Sequence, residues 1–301
     1  MYLRFMKSLY DYITETMVNE KLITFNNRAY PKNNQIVIMA GGAGSGKGFV
    51  VSNVLGIDAK VLNVDDIKEQ LVKMDRGSEL SKRYHDTYGK WLDEVDMTDA
   101  EDTSNIHAFA KDNALANKMN DTLFKQQADK KDKINVLFDV TLKDYPKIED
   151  ISRLAALGGY DPKDIHLVWV LNNYDTAVKQ NAMRARRVSD KILKGTHGGC
   201  AQQMLDIMKY SAANDLVNGD IWIYFGSTFT GDTKQMTSPN GGKYLEDFCA
   251  VKCKEAGKPM VDYNAVMDMP VKVYDADGKE TGEVTLREKI NTYIPLDNEK
   301  F

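Results

Sequence analysis

Apolar residues in this chain come in short blocks, IVIMA at 36–40, KVLNV at 60–64, INVLF at 134–138, DIHLVWVL at 164–171 and DIWIYF at 220–225. Each is rich in β-branched side chains and continuous rather than alternating in hydrophobicity, the pattern of a strand covered on both faces in a parallel sheet. Between the blocks the apolar spacing lengthens to that of helices. These are predicted through Val50, Val51, Val54 and Leu55, over the stretch IKEQLVKM, over Ser104–Asp129, over Pro146–Leu157 with a stop at Gly158-Gly159, over Asn173–Val188 and over Cys200–Leu216. Strand and helix in alternation predict an α/β fold with right-handed crossovers.

Two stretches interrupt that rhythm. Residues 76–133 are polar and charged, with Tyr84, Tyr88 and Trp91 at helical spacing and Ala108, Leu115, Met119, Leu123 and Phe124 as a buried stripe. They read as a helical insertion whose aromatics serve its own core. Beyond Gly226 the period is lost: residues 227–242 read as a long loop and Lys243–Ala256 as a helix with Cys249 and Cys253 stacked one turn apart. Residues 270–286 read as a hairpin turning at Asp277-Gly278. At the other end, Leu9, Tyr12, Ile13, Met17 and Val18 predict a packing helix. The expected organisation is an N-terminal extension at 1–34, a core at 35–225 with its insertion at 76–133 and a lid at 184–199, and an α+β appendage at 226–301.

Composition narrows the classes. A chain of 301 residues, 43% hydrophobic and 28% charged, has core enough for one α/β domain and an appendage. With 40 basic against 44 acidic residues and a net charge of -4, nothing argues for a nucleic-acid scaffold; nucleic acid is expected only as a substrate. Charges interrupt MYLRFMKSLYDYITE too early for a signal segment, and no apolar run reaches transmembrane length, so a cytoplasmic location is expected. Three cysteines without metal-ligand spacing fit a reducing compartment, and His85 and His107 have no ligand partners at metal spacing.

The first block carries the most specific chemistry, because IVIMA runs directly into GGAGSGKGF. Glycines at 41, 44, 46 and 48 let the backbone curl and bring its N–H groups against a ligand, Lys47 adds a point charge, and the helix expected next turns its unpaired N–H groups toward the same anion. Gly42, Ala43, Gly44, Ser45, Gly46, Lys47, Gly48 and Phe49 are therefore the expected nucleotide-phosphate site. The common form of this loop has a Mg²⁺-binding hydroxyl after its lysine, and here that position is Gly48. The Gly-Lys-Gly form resembles the loop of adenylate-kinase-like nucleoside monophosphate kinases.

Polar residues cluster where the other blocks end. Asp65 and Asp66 follow the second block and serve either as site carboxylates or as helix caps. Asp139, Thr141 and Lys143 follow the third block with period-two spacing that points them one way, as ligands for a Mg²⁺ water or a polar substrate. Arg184, Arg186 and Arg187 precede SDKILKGTHGG, a polar, glycine-terminated stretch with the composition of a mobile lid that His197 lines.

This ordered set, Lys47 in its loop, VDDIK, DVTLK and an arginine-bearing lid, resembles the zeta-toxin-like P-loop kinases over roughly residues 35–225. The resemblance implies a P-loop NTPase fold, a three-layer sandwich around a parallel sheet. It implies ATP or GTP with Mg²⁺, and transfer of the γ-phosphate to a hydroxyl of a small molecule, nucleotide or nucleotide sugar. Asp65 takes the place of the family's base and Lys68 that of the arginine three residues later. Asp139, Thr141 and Lys143 stand where the family's acceptor-binding Glu-x-Thr-x-Arg stands; the lysines lack arginine's planar fork, which leaves the acceptor open. Lys47, Asp65, Arg184 and Arg187 are the expected catalytic residues, Lys68, Asp139, Thr141 and Lys143 the acceptor site, and Asp65, Asp66 and Asp139 the metal ligands. An antitoxin-like protein partner is implied too. The alternatives are a nucleoside monophosphate or polynucleotide 5′-hydroxyl kinase, and a nucleotide-binding structural or assembly protein with degenerate catalysis.

Overall fold

The structure, a computed structural model, describes residues 31–53, 55, 57–183, 188–210, 215–226, 235–237, 243–245, 249–260, 262–274 and 280–294, with Asp65 and Asp66 described through their backbone alone. The predicted helix near the N-terminus, the lid arginines Arg184, Arg186 and Arg187 and the hairpin tip at Asp277-Gly278 lie outside these residues.

Strands β1 (Ile36–Ala40), β2 (Lys60–Leu62), β3 (Val136–Asp139), β4 (Ile165–Leu171) and β5 (Ile221–Phe225) form the sheet, in the order β2-β3-β1-β4-β5 and parallel throughout. Side chains alternate between its faces, and both faces are apolar. Ile36, Ile38, Ala40, Leu167, Trp169, Ile223 and Phe225 pack on one side with helix α6 (Pro146–Leu157) and helix α8 (Asp190–Tyr210). Val37, Met39, Val168, Val170, Trp222 and Tyr224 pack on the other with Val50 of helix α1 (Lys47–Asn53) and with Leu55. Burying both sets requires helices on both faces, and each fully buried Ile, Val or Leu contributes roughly 1.5–3 kcal/mol relative to exposure. The result is the three-layer α/β arrangement of a P-loop NTPase.

The insertion has a separate core. Helix α2 (Val64–Leu71), helix α3 (Glu79–Tyr88) and helix α4 (Ala100–Asp112), with the short turn Leu92–Glu94 between the last two, bring together Ile67, Leu71, Tyr84, Leu92, Ile106, Phe109 and Ala110. Tyr84 is thus core, as its spacing predicts. The single helix expected over Ser104–Asp129 is instead two, α4 and helix α5 (Leu115–Lys125). Asn113 turns its amide back onto the Phe109 carbonyl at 2.8 Å, competing with the helical ladder, and Ala114 adopts a left-handed φ of 49°. The break changes the phase of the stripe and leaves Met119 45% exposed.

The region after 226 contributes to the main sheet. Within the stretch expected to be helical, residues 243–245 form strand β7 (Lys243–Leu245), paired with strand β6 (Gln235–Thr237), and residues 249–254 form strand β8 (Cys249–Lys254), which adds antiparallel to β5. The free edge of β5 decides this: Val251 and Cys253 enter the apolar core, while Lys252 lies over the Trp222 ring at 5.3 Å and reaches Asp220 at 3.0 Å. The predicted hairpin is present as strand β9 (Pro270–Tyr274) and strand β10 (Glu280–Thr285). With helix α9 (Tyr263–Met267) and helix α10 (Leu286–Tyr293) it packs Val266, Val271, Leu286 and Ile290 onto the same core.

Helix α7 (Tyr174–Met183) precedes α8, in which residues 190–199 are helical where their composition suggests a mobile loop. Gly198 and Gly199 do not end the helix. A Cβ on Gly199 would lie 3.1 Å from the Lys143 Cβ, so this glycine permits close packing against the segment after β3.

Candidate active site

The glycine-rich loop leaves β1 at the carboxyl edge of the sheet, where an open α/β fold places its chemistry. Its glycines have distinct reasons. Gly41 has φ 155°, and a Cβ there would lie 2.6 Å from the Ser45 hydroxyl and 2.7 Å from the Val170 carbonyl. Gly44 (φ 74°) and Gly46 (φ 91°) occupy the left-handed region. A Cβ on Gly46 or Gly48 would meet no atom within 4 Å, so this side of the loop is open space. The Ser45 hydroxyl is buried inside the curl with no hydrogen-bond partner.

Lys47 folds back over the loop, its Nζ donating to the carbonyls of Gly41 at 2.7 Å and Gly42 at 3.3 Å and lying 3.9 Å from the Asp139 carboxylate. Strand register explains the last distance. Met39 is level with Asp139, so the carboxylate stands beside the strand end from which the loop departs. β2 is paired with β3 through Leu62 and Phe138, and one residue further Asn63 donates to Asp139 at 3.3 Å. Asn63 was invisible as a site residue because it sits inside an apolar block; a polar residue at the end of such a block is the signal that marks it.

Among the expected acceptor residues the structure joins some and separates others. Asp139 lies in the site, half-buried. Thr141 meets the loop through its backbone, its carbonyl accepting from the Gly41 N–H at 3.3 Å. Leu142 then takes a left-handed φ of 53° with its side chain buried, so the period-two alternation expected through Lys143 stops, and Lys143 is exposed alongside Gly199. Placing a leucine in that region costs about 1–2 kcal/mol. Lys68, in the last turn of α2, is buried at 3% exposure. The backbone carries Asp65 and Asp66 in the first turn of α2, just past the carboxyl end of β2.

Two further groups hold the loop from the side. Asn172, just past β4, is 3% exposed and donates to the Gly44 carbonyl at 3.4 Å, while its amide oxygen has no hydrogen-bond partner. From α8, His197 presents Nε2 to the Ala43 carbonyl at 2.7 Å, and the Thr196 hydroxyl accepts from the Ala43 N–H at 3.4 Å. The carbonyl can only accept, so His197 carries its proton on Nε2. Burial lowers its pKa, and the Lys47 charge acts the same way against the Ala43 bond. Cys200, one turn on, is buried, and its thiol is pushed up to about 12, so it packs rather than reacts.

The donor set suits a hydrated Mg²⁺. No group of three or more His, Cys, Asp or Glu forms a metal cage among the described residues, and Gly48 has no hydroxyl. Among the described side chains one carboxylate, Asp139, stands beside the loop, which matches an ion that keeps most of its waters and takes the rest of its ligands from phosphate.

No protein of curated function matches the sequence. Among solved structures the chain is similar to one of the AvrRxo1-ORF1:-ORF2 complex in its native form, at 14% identity over 98% of this chain and 73% of that one, with a TM-score of 0.48. It is also similar to one crystallised with ATP, at 13% identity over 99% of this chain and 74% of that one, with a TM-score of 0.44. A further likeness is to the PezAT chromosomal toxin-antitoxin system of Streptococcus pneumoniae, at 13% identity over 73% of this chain and 76% of that one, with a TM-score of 0.37. The family model described as Zeta toxin matches residues 20–224, well over half of the chain and all of the loop, the β3 carboxylate and the α8 helix around it, so the chain belongs to the zeta toxin family.

Proposed function

We propose that this protein is a kinase that transfers the γ-phosphoryl group of ATP or GTP to a hydroxyl of a small molecule, nucleotide or nucleotide sugar. The observation that carries the reading is Lys47, seated on the Gly41 and Gly42 carbonyls 3.9 Å from Asp139 at the sheet's carboxyl edge. Phosphoryl transfer needs positioning and charge neutralisation rather than covalent chemistry from the protein. In this reading the amides of Gly44–Gly48 and the Lys47 ammonium hold the phosphates, and Asp139, oriented by Asn63, is the protein's Mg²⁺ carboxylate, with Asp65 or Asp66 beside it. The metal supplies charge neutralisation when bound. Asp65 orients the acceptor hydroxyl and accepts its proton, Thr141 and Lys143 line the acceptor side, and Arg184 and Arg187 close over the transferring group. Two described cysteines, Cys200 and Cys253, are free thiols, which supports a cytoplasmic location, and no described helix is long and apolar enough to cross a membrane. An antitoxin-like partner belongs to the same proposal.

The test is incubation with γ-labelled ATP or GTP and a panel of nucleotides, nucleotide sugars and oligonucleotides, with Lys47→Ala and Asp65→Asn as controls. Labelled product from the wild type and from neither variant is the expected result. Growth arrest on expression, relieved by Asp65→Asn, would support the toxin branch and its antitoxin. The burial of Lys68 favours one second reading, nucleotide binding without transfer. ATP affinity lost in Lys47→Ala, with no acceptor ever labelled, would establish that reading instead.

A further inference from the structure

The phosphate loop is held at its tip by a helix distant in sequence. The His197 ring lies so close to Gly42 that a Cβ there would come within 2.3 Å of its Cδ2 and 2.6 Å of its Nε2. The same ring donates to the Ala43 carbonyl at 2.7 Å, and Thr196, itself donating to the Leu193 carbonyl at 2.8 Å, accepts from the Ala43 N–H at 3.4 Å. Both polar groups of one loop residue are thus engaged by consecutive residues of α8. Tyr174, the first residue of α7, packs edge-on against the same ring at 5.7 Å between ring centroids. Two residues past His197, Gly199 lets the same turn of α8 approach Lys143 in the segment beyond β3.

The geometry points to His197 as a positioning residue that locks the Gly42–Ala43 segment of the loop and ties it to the α7–α8 arm, so that phosphate-site geometry and the placement of that arm are set together. The inference rests on the nucleotide-site reading above for its catalytic consequence, but its structural content concerns the protein without nucleotide. A buried ring wedged against a glycine and bonded to the next carbonyl removes the freedom of the loop's first half, which a preorganised anion site requires. Gly42 has no need of a positive φ, so its lack of a side chain is explained by the room the ring takes.

The test uses the full chain. Hydrogen exchange at residues 41–48 is measured without nucleotide in wild type, His197→Leu, which keeps bulk and loses the donor, and His197→Gln, which keeps a nitrogen donor. Fluorescent ATP titrations are run on the same proteins and on a cycle of Gly42→Ala, His197→Ala and the double variant. The expected result is loop exchange about tenfold faster in His197→Leu, restored to within about threefold of wild type in His197→Gln. Gly42→Ala is expected to weaken ATP binding by about tenfold in the wild-type background and by under about twofold in His197→Ala, because the added methyl then meets no ring. Equal loop exchange in wild type and His197→Leu, equally fast exchange in the Gln and Leu variants, or an additive cycle overturns the inference. If the Leu variant does not fold, wild-type exchange and affinity in Gly42→Ala overturn it by themselves. Absence of ATP binding by the wild type would defeat the nucleotide reading alone, and the exchange data would still decide the lock.

Discussion

The two ends of the central sheet are both polar, and they differ in what their polar groups do. At the amino end, His166 at 4% exposure donates from Nε2 to Gln35 at 2.8 Å and accepts from the Asp220 N–H at 2.9 Å. Asp220 takes Lys252 at 3.0 Å and the Ala256 N–H at 2.7 Å, and Lys254 donates to Asn218 and Gly219 carbonyls at 3.1 and 3.0 Å. At the carboxyl end, the Ser45 hydroxyl and the Asn172 amide oxygen are buried without a partner, three loop glycines take positive φ, and space stands open beside Gly46 and Gly48. Saturated polar groups stitch β1, β4, β5 and β8 into one unit. Unpaired polar groups buried beneath a loop of positive-φ glycines are a local cost in stability, the kind that functional sites carry and saturated structural networks do not.

That contrast can be broken at either end. Replacing Lys47 by Ala should lower γ-phosphate transfer by about 10³-fold while shifting the thermal midpoint little, since its contacts are with a ligand site rather than the core; a large fall in stability would undo the distinction. Asp220→Ala should do the reverse. Loss of its partners at the amino end should cost about 3 kcal/mol in urea unfolding, with transfer per folded molecule at low temperature changed by less than about twofold.

The difference in pH dependence between wild type and a His166→Gln variant tests the amino end, since burial lowers the pKa of His197 at the carboxyl end as well. Burial depresses His166 from its usual 6.5 to about 4, with Asp220 opposing and Lys252 and Lys254 reinforcing. A histidine whose folded pKa is depressed binds its proton more readily when unfolded, so its contribution is full above the unfolded value and is lost as pH falls through that window toward the folded one, by about 3 kcal/mol in all. Denaturant titrations should show that loss in wild type, and a His166→Gln variant should show a flatter profile. The smallest effect is expected at Gly48→Ser, where the new side chain meets open space in α1. Stability should rise by about 0.5 kcal/mol from helix propensity, visible as a small increase in thermal midpoint.

Much of this was legible along the chain. The five strands were readable because residues buried on both faces must be apolar throughout, and the loop because only glycines permit its turns at Gly44 and Gly46. Asp139 followed from the rule that strand ends carry chemistry. The helical reading of 243–256 failed because VKCK alternates on a scale too short to outweigh its neighbours, and only the free edge of β5 supplies the partner that makes it a strand. The alternation from Asp139 to Lys143 failed for a local reason, the left-handed turn at Leu142, which leucine does not announce.

The sequence by itself determined the α/β class, the glycine-rich loop with Lys47, and membership of the zeta toxin family, because these depend on residues near one another along the chain. Only the tertiary structure decided that Asn63 holds Asp139, that β8 closes the sheet, and that His197 from α8 locks Gly42 and Ala43. Such pairings can join residues more than 150 positions apart, as His197 and Ala43 are at 154, and their physical origin is register and packing, which no local pattern records.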